Sequence, residues 1–208
     1  MTICLVTDRR RRSPVEQASE AAAAGVDIIH IRERDLEAGE LSALVAEIVG
    51  VTRGSATRVV VNDRVDVALA AGADGVHLRG DSMPAARVRA VVPRGFLICS
   101  AVHTAAEAVA AAGASDCLVA GTVFPTASKP DLRSFLGLEG LASVVQAVSV
   151  PVLAIGGMSV ERAAAVAATG AQGLSAIGLF TDADRPIKEV VRQIRERFNI
   201  GGDFLPQP

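Results

Sequence analysis

Short apolar runs alternate along this chain with alanine-rich segments that have a helical pattern. The same junction occurs four times: an alanine-rich run ends at a glycine and a short apolar run begins, at Gly25, Gly72, Gly113 and Gly170. Glycine suits the left-handed residue that closes a helix, and an unbroken apolar run is typical of a parallel strand buried on both faces. The junctions therefore predict four turns from helix to strand.

Four further apolar runs complete the alternation of strands with helical segments. They are Ile3–Val6, Arg58–Val61, Phe96–Cys99 and Val152–Ile155. Alternation alone predicts parallel pairing with right-handed crossovers, which an open doubly wound sheet would also satisfy. A total of eight strands favours closure. We therefore predict one α/β domain, a (β/α)8 TIM barrel over residues 1–200, with residues 201–208 as a C-terminal tail.

Composition narrows the class of protein. The 208 residues are 50% hydrophobic, with six Phe and neither Trp nor Tyr, which suits helices packed on buried strands. A net charge of −2 gives no electrostatic reason to expect nucleic acid or an anionic membrane as a partner. No apolar stretch reaches the ~18 residues of a membrane span and no signal-peptide core is present, so we expect a cytoplasmic protein.

The three cysteines and the oligomeric state add little to this picture. Cys4, Cys99 and Cys117 are isolated in apolar runs, without the close spacing of zinc sites or small disulfide frameworks. We expect buried, reduced thiols. The sequence leaves open whether the chain forms a homo-oligomer.

Polar residues follow the predicted strands, where a barrel places its reacting groups. After the second strand, an alternating pattern sends His30, Arg32 and Arg34 to the same side. The intervening isoleucines need burial against helices, which favours a lumen-facing histidine and arginines. The alternative is an outward orientation, in which the arginines pair with neighbouring acids at the surface.

The third, fourth and fifth strands end in further candidates. Asn62 and Asp63 follow the third strand, and Asp63 is suited to bind a metal or a substrate amine, or to cap the next helix. His77 suits a hydrogen-bonded barrel position. His103 directly precedes a helix N-cap, so both histidines are first assigned structural roles.

Two regions are candidates for binding phosphate. An irregular stretch after the sixth strand contains Thr126, Ser128 and Lys129, which offer hydroxyl donors and a mobile cation, although a solvated linker would have the same composition. The loops after strands seven and eight are the usual phosphate site of barrels, and here they contain backbone donors at five positions: Gly156, Gly157, Ala176, Ile177 and Gly178. The arginine run at residues 9–12 is assigned no site.

Six segments, in order, resemble one known family. They are Leu5–Asp8, His30–Arg34, Asn62–Asp66, Asp74–Leu78, Val123–Thr126 with Lys129, and Ala154–Gly157. Over roughly residues 2–197 the chain is similar to the family that joins thiamin phosphate synthase with thiazole tautomerase. The resemblance implies a small phosphorylated thiazole as ligand, with its phosphate on loops seven and eight.

The two branches of that family differ in chemistry. The resemblance implies that a synthase joins an aminopyrimidine diphosphate to a thiazole phosphate with Mg2+ on the diphosphate, whereas a tautomerase shifts protons on a carboxylated thiazole phosphate. His30 and Arg34 stand where synthases carry Gln and Lys, and Ser82 stands where synthases hold magnesium with Asp. These differences favour the tautomerase.

The tautomerase hypothesis has a gap, because Thr122 stands where that branch has its acid/base histidine. Threonine is a poor proton acceptor near neutral pH, so His30, His103 or the substrate's own carboxylate would have to move the proton. We therefore expect an isomerase that needs no cofactor. The alternatives are a synthase with Mg2+ on Asp63, with Asp81 as a second candidate ligand, and a binding protein without turnover.

Overall fold

Eight parallel strands close into a barrel in the order of the sequence. The structure, a computed structural model, describes residues 1–126, 133–181 and 185–202. The strands are β1 Thr2–Val6, β2 Ile28–Ile31, β3 Arg58–Asn62, β4 Gly75–Leu78, β5 Leu97–Val102, β6 Cys117–Gly121, β7 Val152–Ile155 and β8 Gly173–Ala176. The predicted (β/α)8 barrel is confirmed, and the pairing of β1 with β8 excludes an open sheet.

Helices alternate with the strands around the outside. They are α1 Pro14–Ala23, α2 Ala38–Thr52, α3 Val65–Ala70, α4 Ala85–Arg89, α5 Ala105–Ala112, α6 Gly137–Gln146, α7 Ala163–Ala167 and α8 Ile187–Gly202, with a short 3-10 helix at Gly178–Phe180 after β8. None of the helices in the described ranges is both long and apolar enough to cross a bilayer. Residues 203–208 of the predicted tail lie outside the described residues.

Alternating strand residues divide between two apolar clusters. One lies between the sheet and the helices and includes Ile29 and Ile31. The other fills the barrel interior and consists of Cys4, Val6, Ile28, Val60, Val119 and Leu153. Each buried branched side chain contributes about 1.5–3 kcal/mol, so the two clusters together hold the barrel closed and fix which strand residues face inward.

The polar residue after each junction glycine ties neighbouring strands together. A carboxylate oxygen of Asp27 accepts a hydrogen bond from the Ile3 N–H at 2.8 Å. Asp74, Asp116 and Gln172 accept in the same way from the first residues of β3, β5 and β7 or their neighbours. The repeated junction therefore pins the amino-terminal edge of the barrel, on the side where stability rather than chemistry is expected to reside.

Three of the four junction glycines adopt the left-handed conformation that the sequence predicts. Gly25, Gly72 and Gly170 have φ between 72° and 84°. The prediction is wrong for Gly113, which has φ of −66°. There the Ala114 N–H bonds the Ala111 carbonyl, so the helix ends in a tightened last turn that needs no left-handed residue.

The cysteines are free thiols that belong to the packing of the barrel. Cys4 and Cys99 are buried and Cys117 is half-buried. Burial raises the pKa of Cys4 to about 12, so its thiol stays protonated near neutral pH.

Candidate active site

A cavity of about 520 Å3 opens at the carboxyl-terminal end of the strands. Four arginines, Arg11, Arg32, Arg34 and Arg79, line it together with all three histidines. Asp81 is the one acidic residue in the described part of its wall, so the mouth is strongly cationic. The other wall residues are Asn62, Gly80, Ala101, Val119, Gly121, Thr122, Thr126, Ile155, Gly156, Gly157, Met158, Ala176, Ile177, Gly178 and Leu179.

Two stacked histidines form part of the floor. The rings of His30 and His77 lie with centroids 4.3 Å apart and planes 23° from parallel. Burial lowers the pKa of His30 well below its ordinary value, and electrostatic repulsion from His77 in its protonated form adds to the effect. Burial also lowers the pKa of His77, to about 4. Both rings are therefore neutral near pH 7, and three of their nitrogens find no hydrogen-bond partner among the described residues.

A hydrogen-bond chain holds the end of β2 in place. The Arg32 N–H donates to the Thr7 hydroxyl at 3.0 Å, and that hydroxyl donates to the buried Glu33 carboxylate at 2.6 Å. Glu33 also accepts a hydrogen bond from the Arg9 N–H, so its carboxylate stabilises the loop after β1. This anchoring leaves Arg32 half-buried with its side chain at the cavity, as the period-two pattern predicts.

Arg32 and Arg34 lie close enough to influence each other's charge. Burial lowers the pKa of Arg32 and the neighbouring Arg34 adds to the shift. Neither forms an ion pair with any carboxylate in the described ranges. Because guanidinium groups stay charged at neutral pH, this side of the mouth is suited to receive an anion from solution.

A side cavity of about 190 Å3 opens beside Asp63 and shares Asn62, Arg34 and Arg79 with the main cavity. Asp63 has a φ of 63°, and its carboxylate pairs with no side chain in the described ranges. Asp81 pairs with Arg79, and the Ser82 hydroxyl accepts the Arg79 N–H at 2.7 Å. Asp81 and Ser82 therefore stabilise the turn after β4.

Asp63 and Asp81 are the candidate ligands for the magnesium ion that the resemblance implies. The described residues contain no cluster of three or more His, Cys, Asp or Glu side chains suited to a metal. Mg2+ is commonly bound by one or two carboxylates together with substrate phosphates and water. The residues fit an ion that is shared between Asp63 and a bound diphosphate, and they do not form a complete protein cage.

The glycine pair after β7 is packed closely against the loop that follows β6. Gly156 and Gly157 have φ of 103° and 63°, and a Cβ atom on Gly157 would lie 2.5 Å from the Pro125 carbonyl oxygen. A Cβ atom on Gly156 would collide with the Thr122 methyl group. The Val123 and Phe124 N–H groups donate to the Ile155 and Gly156 carbonyls, so backbone hydrogen bonds join the two loops.

Residues with unbonded backbone N–H groups line the cavity in the same region. The Gly156 and Gly157 N–H groups donate to no acceptor in the described part of the chain, whereas the Gly157 carbonyl is bonded by Arg162. Gly178 begins the short 3-10 helix, whose first N–H groups have no partner within that helix. Left-handed glycines with unbonded N–H groups are suited to cradle an anion, as the sequence predicts for this region.

The remaining predicted residues are distributed around the wall. His103 is exposed at the rim, and its Nδ1 lies 3.2 Å from Glu107. Thr122 is buried, and its carbonyl accepts from Leu136. Thr126 lies at the cavity, as do Ala176 and Ile177. Ser128 and Lys129 lie outside the described residues.

Two of the four cavity arginines, Arg11 and Arg79, were not among the site residues predicted from the sequence. Arg79 lies two positions after the floor histidine His77, just as Arg32 follows His30, so the same alternation would have identified it. Arg11 reaches the cavity from an irregular loop, where no periodicity indicates which residue of the arginine run faces inward.

Comparison with known proteins gives consistent matches over almost the whole chain. Residues 3–180 match the family model described as thiamine monophosphate synthase. A thiamine-phosphate synthase of Methanoculleus marisnigri is 38% identical over 197 residues, 93% of each chain. One from Archaeoglobus fulgidus is 38% identical over 205 residues, 97% of this chain and 96% of its own.

Solved structures give the same result. The thiamine phosphate pyrophosphorylase of Pyrococcus furiosus superposes with a TM-score of 0.86 at 32% identity, covering 97% of this chain and 96% of that one. A 3-hexulose-6-phosphate synthase, at 20% identity and a TM-score of 0.71, shares the fold.

These matches overturn the tautomerase prediction, and with it the expected isomerase. Over nine-tenths of its length the chain is similar to proteins named as synthases. The tautomerase prediction, in contrast, depended on a few positions, chiefly His30, Arg34 and Ser82. The structure shows why those positions mislead: His30 is a neutral floor residue and Ser82 serves a turn. The family itself is confirmed, and the chain belongs to the thiamine monophosphate synthase family.

Proposed function

We propose that this protein is a thiamine-phosphate synthase, a transferase that joins an aminopyrimidine diphosphate to a thiazole phosphate. The observation that carries the proposal is that one cavity has two separate regions suited to anions. Arg32 and Arg79 lie on the β2–β4 side, and the glycine donors lie on the β7–β8 side. A synthase must bind two phosphorylated substrates at once, and the synthase names of relatives matched over nine-tenths of the chain favour this use of the two regions over the binding of one carboxylated thiazole phosphate.

The reaction assigns a role to each region. The bond between the pyrimidine methylene carbon and the diphosphate oxygen breaks, the diphosphate leaves with the electron pair, and the thiazole nitrogen bonds that carbon. Arg32 and Arg34 would stabilise the charge that develops on the departing oxygens. Lys129 is proposed to assist them. Gly156, Gly157 and Gly178 would hold the thiazole phosphate through backbone N–H groups.

The floor is suited to two aromatic rings. His30 and His77 offer a neutral stacked surface with free ring nitrogens, beside the apolar side chains of Ile155 and Ile177. A neutral floor does not compete with the arginines for the diphosphate. It therefore favours the heteroaromatic parts of the substrates below and their phosphates at the mouth.

A magnesium ion is expected as cofactor, and it would neutralise part of the diphosphate charge. Asp63 is the residue proposed to hold it, because its carboxylate has no other partner among the described residues. Asp81 is already paired with Arg79 and contributes at most to orienting that arginine. A cytoplasmic location remains a prediction of the sequence, which leaves the oligomeric state open.

The test is a synthesis assay with purified protein, aminopyrimidine diphosphate, thiazole phosphate and Mg2+, followed by mass spectrometry and phosphorus NMR. We expect thiamin phosphate and diphosphate in equal amounts, and loss of product when Mg2+ is chelated. Binding of both substrates without product would instead identify a binding protein. An Arg32→Gln, Arg34→Gln double variant should retain thiazole phosphate binding and lose synthesis.

A further inference from the structure

The loop after β1 contains four consecutive arginines, of which one differs from the rest. Arg9 and Arg10 bond Asp35, and Arg12 bonds Glu20 on α1. Those three guanidinium groups point to carboxylates outside the cavity. Arg11 is the member of the run that lines the cavity wall.

Arg11 lies next to the glycine donors of the β8 loop. Its Nη1 atom lies 3.8 Å from the position that a Cβ atom on Gly178 would occupy, and apart from Gly178, its chain neighbours and the 3-10 helix backbone no other atom of the described residues lies within 4 Å of that position. The absence of a side chain at residue 178 therefore leaves a space with a guanidinium on one side and the backbone of the 3-10 helix on the other.

The side chain of Arg11 is partly fixed. Its Nε atom lies 3.4 Å from a carboxylate oxygen of Asp8, and its backbone N–H donates to the Asp8 carbonyl at 2.9 Å. The other oxygen of Asp8 accepts from the Arg10 N–H, which orients the carboxylate itself. With Nε directed to Asp8, the two terminal nitrogens are left to face Gly178 and the cavity.

We propose that Arg11 binds the phosphate group of the thiazole substrate and sets the preference of the site for a phosphorylated thiazole. The inference rests on the proposed function. Backbone N–H groups from loops seven and eight supply neutral donors on one side of that phosphate, and Arg11 supplies the charged donor on the other. Arg11 thereby adds a phosphate-binding side chain from the loop after β1 to a phosphate site that otherwise consists of the loops after β7 and β8.

The experiment compares Arg11→Gln with Arg10→Gln, a matched variant in the same loop whose guanidinium faces Asp35. Both side chains are solvent-accessible, 45% for Arg11 and 74% for Arg10, so both variants should fold. Isothermal titration calorimetry measures binding of thiazole phosphate and of the corresponding unphosphorylated thiazole alcohol. Steady-state kinetics measures KM for each of the two substrates.

We expect Arg11→Gln to weaken thiazole phosphate binding about tenfold. This is the low end of the range of affinity losses expected on removal of a charge-assisted hydrogen bond, and it is chosen because the Arg11 side chain is partly exposed. Binding of the alcohol and KM for the aminopyrimidine diphosphate should stay within about twofold. Arg11→Lys should recover part of the loss, and Arg10→Gln should change none of these values.

An equal effect of Arg11→Gln on phosphate and alcohol, or no effect, would overturn the role of Arg11 while leaving synthesis intact. Absence of synthesis by the wild-type protein, together with phosphate binding that depends on Arg11, would overturn the proposed function alone. A wild-type protein that fails to bind thiazole phosphate would overturn both.

Discussion

The stacked histidines of the cavity floor make the fold sensitive to mild acid. The pKa of His77 falls from an ordinary value of 6.5 to about 4 because the ring is buried, and the pKa of His30 shifts in the same direction. The unfolded chain therefore binds these protons more tightly than the folded chain does. Stability is fully present above about pH 6.5 and is lost as the pH falls towards about pH 4.

The magnitude follows from the shift in the pKa of His77. A full shift of this size corresponds to about 3 kcal/mol, of which about 2 kcal/mol is lost between about pH 7 and pH 5. His30 adds to the loss, and the two rings oppose each other's protonation because they are in contact. Given a total stability of about 5–15 kcal/mol for a typical domain, the effect is large enough to measure.

The assay is urea denaturation followed by circular dichroism at about pH 7, 6 and 5, with His77→Gln and His103→Gln compared with the wild type. His103 is exposed at the rim, so it serves as the control. We expect the wild type and His103→Gln to lose stability in parallel, and His77→Gln to lose about 2 kcal/mol less between the two ends of the range. Equal losses in all three proteins would refute the assignment of the acid sensitivity to the floor.

Three further predictions test other parts of the structure. Gly157→Ala should raise KM for thiazole phosphate about tenfold in steady-state kinetics, because its Cβ atom would force the Pro125 carbonyl away. The control is Gly54→Ala, since Gly54 has a comparable φ but open space around its Cβ position, and this variant should leave KM unchanged. Asp74→Ala should cost about 1–3 kcal/mol in urea denaturation by leaving the Val59 N–H unbonded, with KM values retained; a loss of activity without a loss of stability would contradict its placement. Asp63→Asn should raise the Mg2+ concentration needed for half-maximal synthesis about tenfold or more, and an unchanged requirement would rule out Asp63 as a ligand.

Much of the fold was predictable because strand and helix periodicities are local. Eight apolar runs separated by helical segments are visible in the sequence, and strand count alone favoured closure. The bonds from Asp27 and Asp74 to neighbouring strands were not predicted, since they join residues 24 and 15 positions apart and depend on the closed sheet. The sequence identified the junction pattern as a helix end, whereas its second role, the bonding of neighbouring strands, became visible only in the three-dimensional structure.

The site was predicted where it follows strand alternation and missed where it does not. His30, Arg32 and Arg34 were identified because residues two apart on a strand share a face. Arg11 belongs to a loop with no repeating geometry, and its position depends on the Asp8 carboxylate and on the missing side chain at Gly178. Prediction of such a contact needs the relative placement of the first and last loops.

The wrong reaction was inferred from His30, Arg34 and Ser82, which differ from the synthase pattern, and His30 was then considered as a proton carrier. In the structure its burial beside His77 keeps the ring neutral, and an imidazole whose pKa lies far below neutrality accepts a proton poorly there. A neutral planar group with free hydrogen-bonding atoms suits the recognition of a heteroaromatic ring in either reaction, so the identity of residue 30 does not discriminate between them. What favours the synthase is the similarity over nine-tenths of the chain to proteins named as thiamine-phosphate synthases, together with a cavity that has cationic or N–H donors on both sides of the mouth, where two phosphorylated substrates can bind at once.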